Sequence, residues 1–367
     1  MIGTAAGWDR FARWPVLSAR LALIGLVLLL VASALVPIKA GKDKVQPRGF
    51  VENMIETRPL VGKEPDKDLD LYKRAVVRIR DGENYYDFIA AEHRAAHYPL
   101  RPGVAVRLPT LAYVSALLGE PGMIAAALVL LTATMMAWWR RLGGEPGGRE
   151  RRVLAMAFLF IGTSLGLNRH FFPLHELWAG MLLALSFGLH RPGRWGWSLV
   201  VAALALAIRE HALPFVLLMA VMAFWRRDWK EGAAWSALAL AFLALLAVHL
   251  QLVAAMVQPG DRASAPWLVM RGLSGWLSNV VLSSNLRFLP HWLAGPVVIL
   301  TMLGWAGWRS PAGTFGALFY GGYGLAFMLA GRGDNYYWGA MVAPAILVGL
   351  AFVPRALSSL VRVARAN

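Results

Sequence analysis

The chain has 367 residues, of which 58% are hydrophobic and 16% are charged. Soluble domains average about 45–50% apolar and about 25% charged residues, so this composition favours an integral membrane protein. The formal net charge of +16 is then better explained by basic residues that hold loops in the cytoplasm and meet anionic membrane lipids than by nucleic-acid binding, which we do not expect. The sequence contains no cysteine, which excludes disulfides, a thiol nucleophile and thiolate metal ligands.

The first apolar segment covers residues 21–36 and follows three arginines. A basic start, an apolar stretch and the small residues Ala32-Ser33-Ala34 would also suit a secretory signal peptide. Many further apolar segments follow, and they favour an uncleaved first transmembrane helix. The stretch after this helix is polar and rich in charges and prolines, so we predict a large first loop over residues 38–120.

Amphipathic helices are predicted within this first loop. The first carries an apolar stripe on one face and ends at Asp81-Gly82, because glycine suits the position after a helix. The stripe consists of Leu69, Tyr72, Val76 and Ile79. A second helix passes through Ile89 and breaks at Tyr98-Pro99, before a third that begins near Val104. Such helices lie on the membrane surface, next to the transmembrane bundle.

Apolar segments recur along the rest of the chain. They lie near residues 121–139, 153–168, 173–190, 195–209, 212–225, 233–256, 292–308, 312–330 and 337–353. Together with the first segment they predict an all-α integral membrane protein of about ten transmembrane helices, in which residues 1–367 form a single polytopic domain.

Basic residues orient the predicted bundle. If the N-terminus is cytoplasmic, most of the short-loop arginines are cytoplasmic too, including Arg140, Arg141, Arg151 and Arg152. This asymmetry follows the positive-inside rule. It predicts that both termini are cytoplasmic and that the 38–120 loop is extracytoplasmic, in a cell (inner) membrane.

A second extracytoplasmic loop is predicted over residues 257–291. Within it the segment 264–284 has an apolar stripe at helical spacing, which Arg271 interrupts. An additional span here would place the arginine-bearing C-terminal tail outside. We therefore predict an interfacial helix on the outer surface.

Four polar clusters lie at the predicted outer ends of spans. They are Asn168-Arg169-His170, His175-Glu176, Arg209-Glu210-His211 and Arg332-Gly333-Asp334-Asn335-Tyr336-Tyr337-Trp338. Each has an ordinary explanation, because the aromatic residues could form an interfacial belt and Arg209 and Glu210 could neutralise one another. The convergence of all four on one face favours a functional site at the membrane boundary.

The motifs of the first loop, with one segment further along, resemble those of GT-C-fold glycosyltransferases. The matching segments are Asp68-Leu69-Asp70-Leu71-Tyr72, Gly82-Glu83-Asn84-Tyr85-Tyr86, Tyr98-Pro99-Leu100-Arg101-Pro102, Arg107-Leu108-Pro109 and Arg209-Glu210-His211-Ala212-Leu213-Pro214-Phe215. The pattern is most similar to that of the polyprenyl-phosphate-mannose-dependent transferases. The architecture matches over most of the chain, and the motifs over a smaller part of it.

The resemblance implies an inverting transfer of a sugar from a polyprenyl-phosphate donor to a lipid-linked or envelope glycan acceptor, on the extracytoplasmic face, usually without a metal. We accordingly expect neither a metal nor a cofactor. Asp68 stands four residues before Tyr72 and matches the family's general base, and Asp70 is the alternative. The family acid often lies close to the end of the first span, whereas here a long stretch intervenes. Both aspartates could instead stabilise the start of a helix.

The residue types in the clusters suit these substrates. Arginine and histidine can stabilise the charge of a leaving phosphate, and the predicted phosphate-binding residues are Arg209, His211, Arg332, Arg169 and His175. Aromatic and polar side chains can stack on and hydrogen-bond to sugars. The predicted substrate-binding residues are Tyr72, Tyr85, Tyr86, Glu210, Glu176, Asn335 and Tyr337.

Other functions stay open at this stage. A lipid or glycan transporter or flippase would place binding residues near the midplane, often in inverted repeats, whereas these charges lie at span ends and we find no repeat. A non-catalytic subunit of an envelope polysaccharide machine would also suit the architecture. So would an enzyme of another class, such as a lipid phosphatase or an acyltransferase.

Overall fold

A computed structural model describes residues 7–39 and 67–366, with the side chains of Lys67 and Asp68 left out. This part of the chain folds into α-helices and short 3₁₀ turns, without a β-strand. The α-helices are α1 (Val16–Leu35), α2 (Lys67–Arg80), α3 (Tyr85–Ala95), α4 (Thr110–Gly144), α5 (Gly148–Thr163), α6 (His175–Leu189), α7 (Gly196–Ile208), α8 (Leu213–Trp225), α9 (Trp229–Met256), α10 (Gly272–Leu282), α11 (His291–Gly307), α12 (Pro311–Leu329), α13 (Ala343–Ile346) and α14 (Val353–Ala364). The predicted all-α class is confirmed.

Several of the described helices are suited to a bilayer. The stretches long and apolar enough to cross it are Val16–Leu35, Gly103–Gly144, Trp229–Met256, Pro311–Leu329 and Ala343–Ala364. Shorter apolar helices of 10–17 residues cover His175–Leu189, Gly196–Ile208, Glu210–Trp225 and His291–Gly307. A perpendicular span needs about 20 residues. The structure therefore supports a helical membrane protein with five candidate spans, and a total of about ten stays a prediction.

The first helix is packed into the bundle on one side and faces outward on the other. Leu17 and Leu28 are 68% and 64% exposed, whereas Ala19 and Ser33 are fully buried. A Cβ atom at Gly295 of α11 would lie 2.1 Å from the carbonyl oxygen of Ser33, so glycine lets the two backbones touch. Apolar side chains that face outward are expected where lipid replaces water.

Contacts between helix ends divide the bundle into two ends. At one end, Glu176 at the start of α6 meets Arg209 after α7, and His249 near the end of α9 meets Val106 before α4. We call this the site end. At the opposite end, the indole of Trp308 after α11 donates to the carbonyl of Pro146 in the α4–α5 connection at 2.7 Å.

Helices α2 and α3 cover part of the site end. The first ends at Arg80, just before Gly82, whose positive φ of 90° suits glycine and agrees with the predicted stop. The second begins after Asn84, whose side chain accepts a hydrogen bond from the backbone of Tyr86 and caps the helix. Both helices pack against the start of α4 and the end of α9, through Ala75, Tyr85, Phe88, Ile89, Ala90, Leu100, Val106, Ala112 and Val253.

The loop after α9 holds α3 in place. Arg94 of α3 donates to both carboxylate oxygens of Asp261, at 2.7 and 2.9 Å. These hydrogen bonds lower the pKa of Asp261 to about 2, because they favour the charged carboxylate. The backbone N–H of Leu100 also donates to the carbonyl of Arg262 at 3.1 Å. The two loops therefore form one connected rim.

Helix α4 has a break near its start. Gly119 has a positive φ of 64° and Pro121 follows it, so the helical hydrogen-bond ladder cannot continue. Arg80 of α2 donates to the carbonyls of Ala116 and Ser115 just before the break, at 3.2 and 3.4 Å. The predicted span 121–139 begins after this break, and the residues before the break contact α2.

The segment predicted as an interfacial helix, 264–284, is helical only over Gly272–Leu282. Leu277, Val280 and Val281 of this helix are each at most 1% exposed, and it packs against α12 and the 3₁₀ turn Gly333–Met341. The part of the apolar stripe that lies in this helix, Leu277 and Val280, thus faces other helices, whereas Met270 before the helix is 81% exposed. Burial against a neighbour and burial in a membrane surface demand the same pattern.

A buried charged group ties helices together at the opposite end. Arg141 of α4 is 1% exposed and donates to the carbonyls of Phe187 and His190, at 2.5 and 2.7 Å. It also pairs with Glu145 at 3.1 Å. The ring of His190 bonds to Glu231 of α9 at 2.7 Å. We call these residues, with Arg226 on Glu231 at 2.9 Å, the Arg141 cluster.

Candidate functional site

A buried ion cluster lies where α6, α7 and α8 meet at the site end. Arg209 follows α7, and its Nε atom lies 2.8 Å from Oε1 of Glu176 in α6. Its Nη1 atom also donates to the neighbouring carboxylate of Glu210. The side chains of Arg209 and Glu176 are each 1% exposed. The structure therefore brings together two of the four polar clusters found in the sequence.

A second guanidinium, that of Arg107, joins this group from the segment before α4. Its Nη2 atom lies 3.5 Å from Oε1 of Glu176. The Nε atom of Arg107 donates to the hydroxyl of Tyr72 at 3.2 Å, and its Nη2 atom donates to the hydroxyl of Tyr337 at 3.3 Å. The backbone carbonyl of Arg107 accepts a hydrogen bond from Tyr85 at 2.8 Å. We call Arg107, Glu176, Arg209, Glu210 and His211 the Arg209 cluster.

Arg107 was not among the site residues predicted from the sequence. It stood only within the matching segment Arg107-Leu108-Pro109, and a loop arginine before a proline has no distinctive chemistry by itself. The partners that give it meaning, Glu176 and Tyr337, lie far away in the sequence. The outer-loop motif was the single available signal, and it pointed to the segment without assigning the residue.

The charges of the Arg209 cluster balance. Its guanidinium groups, on Arg107 and Arg209, face the carboxylates of Glu176 and Glu210. Removal of one buried partner leaves the other uncompensated and is strongly destabilising. The paired charges hold these side chains in place. The cluster therefore offers hydrogen-bond donors but has little net charge to attract an anion.

Two histidines flank the cluster. His211 lies 3.8 Å from Oε1 of Glu210 and contacts the Trp338 ring edge-on, with the ring centres 4.7 Å apart. His175 is 3% exposed, and its ring lies 5.1 Å from that of Tyr72. Its Nδ1 atom is buried and has no hydrogen-bond partner in the part of the chain that the structure describes. Buried polar atoms are normally paired, so His175 is available to a bound molecule.

A hydrogen-bond relay supports the segment that carries Arg107. The hydroxyl of Tyr86 lies 2.9 Å from Nδ1 of His249, and the opposite ring nitrogen, Nε2, lies 3.1 Å from the carbonyl oxygen of Val106. A carbonyl can only accept, so Nε2 carries the proton and Nδ1 accepts from Tyr86. The relay fixes the backbone next to Arg107 against α3 and α9.

A cavity of about 270 Å³ adjoins the cluster. It lies between α2, the start of α4 and the chain before α6. Its walls are largely apolar, and its lining includes Ala75, Val76, Leu108, Leu111, Ala112, Met123 and Phe172. Its remaining lining includes Tyr72 and His175 on the cluster side and the basic residues Lys73, Arg80 and Arg169. Elongated apolar molecules with an anionic group would suit such a cavity.

Two of the predicted phosphate-binding arginines lie outside the Arg209 cluster. Arg332 pairs with Asp334 at 3.1 Å and donates to the hydroxyl of Ser264, also at 3.1 Å. Arg169 is an exposed residue at the cavity, where it pairs with Glu120 at 3.3 Å. Arg332 and Arg209 thus have different partners in the structure, and the prediction that they bind one phosphate together stays a prediction.

The loop that carries Arg332 still reaches the site through its other residues. The side-chain amide of Asn335 donates to the hydroxyl of Tyr337 at 3.3 Å, and its oxygen accepts from the backbone of Arg332 at 3.1 Å. Tyr337 in turn contacts Arg107. The turn Gly333–Met341 thus contributes tyrosine and asparagine, but not its arginine, to the site.

The two candidate bases lie at the start of α2. Asp70 pairs with Lys73 on the same helix at 3.5 Å, and its side chain is 34% exposed. Asp68 is the second residue of α2, and its side chain lies outside the described residues. Tyr72, one turn after Asp68, contacts Arg107. The choice between the two aspartates stays a prediction.

Within the described part of the chain, no three histidine, aspartate or glutamate side chains come together as a metal site. The polar side chains described at the site end are carboxylates, guanidinium groups, imidazoles and tyrosine hydroxyls. Comparison with known proteins gives no relative for this arrangement, since no protein-family profile, curated protein or solved structure matches the chain.

Proposed function

We propose that this protein is a membrane glycosyltransferase that takes a sugar from a polyprenyl-phosphate donor and passes it to a lipid-linked or envelope glycan acceptor. The main support is the apolar cavity that opens beside a buried polar cluster. A donor of this class has the same two parts, an apolar chain and a charged sugar phosphate. The resemblance of the first-loop motifs to GT-C-fold transferases supports the same proposal.

The cavity suits the isoprene units next to the phosphate. Leu111, Ala112 and Met123 of α4 provide an apolar wall, and burial of each methylene group contributes about 0.8 kcal/mol. Leu117, on the same helix, is 85% exposed and is expected to face lipid. The rest of the isoprenoid chain would then continue along α4 into the bilayer.

The donor phosphate is better placed beside the cavity than on Arg209. Lys73, Arg80 and Arg169 line the cavity together with Glu120. Glu120 pairs with Arg169 and Asp70 pairs with Lys73, so Arg80, which donates to backbone carbonyls, leaves a net positive charge there. The Arg209 cluster, in contrast, is already neutralised by its own glutamates. Of the five predicted phosphate-binding residues we therefore keep Arg169 and His175 for the phosphate. We assign Arg209 to the positioning of the side chains that contact the sugar.

The transfer needs a base for the acceptor hydroxyl. In the proposed step the carboxylate of Asp68 takes the proton, and the hydroxyl oxygen forms a bond to the anomeric carbon of the sugar. The bond from that carbon to the phosphate oxygen breaks on the opposite side, and its electron pair leaves with the polyprenyl phosphate. The attack inverts the anomeric centre. Tyr72, Tyr85, Tyr86 and Tyr337 supply ring faces and hydroxyls for the sugars.

The test is a binding and turnover screen of the purified protein with labelled polyprenyl-phosphate sugars in detergent. Ala112→Trp should fill the cavity and raise the dissociation constant of the donor by about tenfold or more. Ala265→Trp, at an exposed loop residue, is the matched control. Donor binding that survives in a folded Ala112→Trp protein, or no turnover with any polyprenyl-phosphate sugar, would contradict the proposal.

A further inference from the structure

Arg287 lies in the 3₁₀ turn Asn285–Phe288, between α10 and α11. The central carbon of its guanidinium group is 5.2 Å from the ring centre of Phe171 and 5.1 Å from that of Phe288. Its Nε atom is buried without a hydrogen-bond partner. Among the residues that the structure describes, no carboxylate forms an ion pair with this cation.

Other arginines inside this protein are treated differently. Arg141 and Arg209 each lie within 3.1 Å of a carboxylate oxygen. Arg287 is half-buried. A charge withdrawn from water without a counter-ion is costly, and a cation over an aromatic ring recovers only about 0.5–2 kcal/mol. Burial lowers the pKa of Arg287, yet arginine stays charged at neutral pH. An anion bound beside Arg287 would therefore stabilise its charge.

The turn around Arg287 is held firmly. The side-chain amide of Asn285 donates to the carbonyl of Ile161 at 2.6 Å and to the hydroxyl of Ser164 at 2.9 Å. The hydroxyl of Ser284 accepts from the backbone of Leu286 at 3.3 Å. The guanidinium is therefore presented by a fixed backbone, which reduces the entropy cost of binding.

The residues that follow place Arg287 at the membrane boundary. Leu289, Trp292 and Leu293 are 37%, 61% and 38% exposed, although they are large and apolar. Exposed apolar residues at the end of a membrane helix face lipid, and tryptophan prefers the level of the head groups. Phosphate groups of lipids lie at this same level, so the available anion is a lipid phosphate.

This position differs from the donor cavity. The turn Arg169–Phe171 and the residue after it separate the two, since Phe171 faces Arg287 while Phe172 lines the cavity. We propose that Arg287, between Phe171 and Phe288, binds the phosphate of a membrane lipid at the site end of the bundle. This site is independent of the glycosyltransferase proposal, because a lipid could occupy it in a protein of any function.

The experiment uses the purified full-length chain in detergent and native mass spectrometry. Phosphatidylglycerol is titrated against diacylglycerol, which has the same tails without the phosphate, and inorganic phosphate is added as a competitor. We expect one tight phosphatidylglycerol site that diacylglycerol does not fill. Arg287→Gln should weaken it by about tenfold, the usual effect of losing charge-assisted hydrogen bonds.

Two further variants sharpen this test. Arg287→Lys should restore only part of the affinity, because an ammonium group cannot form the planar fork of arginine. Arg262→Gln changes an exposed arginine of the same end and should leave the affinity unchanged. Equal phosphatidylglycerol binding by the wild-type and Arg287→Gln proteins would overturn the proposal. Displacement of the lipid by inorganic phosphate at comparable concentration would overturn the assignment to a lipid phosphate.

Discussion

The Arg141 cluster and the Arg209 cluster bury the same kinds of side chain at opposite ends of one bundle. Arg141 and Arg209 are each 1% exposed, and each pairs with a carboxylate. At the Arg141 end, the guanidinium also bonds to two backbone carbonyls, and the neighbouring histidine ring bonds to Glu231. At the Arg209 end, the neighbouring His175 makes no hydrogen bond with the described residues, and a cavity lies beside it.

A buried charge therefore does not by itself distinguish a structural ion cluster from a functional site. In the Arg141 cluster, Arg141 bonds to backbone carbonyls and His190 bonds to Glu231. These bonds connect α4, α6 and α9. The Arg209 cluster is also balanced internally, but a free imidazole and several tyrosine hydroxyls surround it. Function is indicated where polar groups lack a protein partner and where space for a ligand adjoins them.

The first prediction is that the Arg141 cluster and the Arg209 cluster face opposite sides of the membrane. The chain has no cysteine, and a Cβ atom at Gly144 or at Gly260 would meet nothing within 4 Å. We expect Gly144→Cys to react only with reagent on the cytoplasmic side and Gly260→Cys only with reagent outside. The measurement is labelling by a membrane-impermeant maleimide in intact and opened cells. Reaction of both from one side would refute the topology.

The second prediction concerns catalysis at the Arg209 end. Asp68→Asn removes the proposed base and keeps its size, so turnover should fall by roughly 10²–10⁴-fold while donor binding persists. Asp70→Asn is the control and should do much less, because Asp70 pairs with Lys73. A reversed order of the two effects would assign the base to Asp70. If neither variant loses turnover, the transferase mechanism through α2 is wrong, and Glu210 becomes the next acid to test.

The third prediction contrasts stability with activity. Arg141→Ala leaves Glu145 and two carbonyls without their donor, so the free energy of unfolding should fall by about 3–5 kcal/mol. Donor binding by the protein that stays folded should be unchanged. Arg209→Lys keeps the charge beside Glu176 but loses the fork, so it should reduce turnover more than stability. Unfolding in a mild detergent and donor binding measure the two effects. Loss of donor binding in folded Arg141→Ala would break the distinction.

The smallest effect concerns pH. His93 of α3 is 3% exposed, and its pKa is lowered to about 4. Burial is the largest cause and Arg107 adds to it, while the Pro99 carbonyl and Glu92 oppose the shift. The unfolded chain therefore binds more protons between pH 6.5 and 4. Stability from the neutral imidazole is complete above this window and falls, by at most about 1.4 kcal/mol per pH unit, as pH decreases through it.

His93→Gln should remove this dependence. Thermal unfolding of the two proteins is compared from pH 7 to pH 4, with His291→Gln, an exposed histidine of α11, as the matched control. The melting temperature of the wild-type protein should fall relative to that of His93→Gln as the pH decreases. A constant difference across this range would show that His93 does not stay neutral in the folded protein.

Much of the local structure was predictable from the sequence. The end of α2 follows from Asp81-Gly82, since glycine tolerates the positive φ that the chain needs there. The first apolar helix was predicted over residues 21–36 and is observed at Val16–Leu35; Pro15 precedes the helix, where its missing backbone donor costs nothing. The segment 264–284 was harder, because an apolar stripe does not tell which surface will cover it.

The site was predictable as a set of residue types, and only in part as a set of contacts. His175-Glu176 and Arg209-Glu210-His211 meet as expected, whereas Arg332 turns to Ser264 and Asp334. Arg107 enters the site although its partner Glu176 is distant in the chain. Such pairs depend on how helices pack, and the sequence around each residue contains no information about the partner.

The sequence by itself determined that this is a helical membrane protein, because hydrocarbon demands long apolar segments whose backbone groups bond within the segment. It also placed clusters of arginine, histidine and glutamate at the ends of apolar segments. Only the tertiary structure decided that Arg209 is neutralised by Glu176, while the Nδ1 atom of His175 and the Nε atom of Arg287 have no hydrogen-bond partner among the described residues. Ion pairs require contact within about 4 Å, and helix packing alone brings distant residues that close.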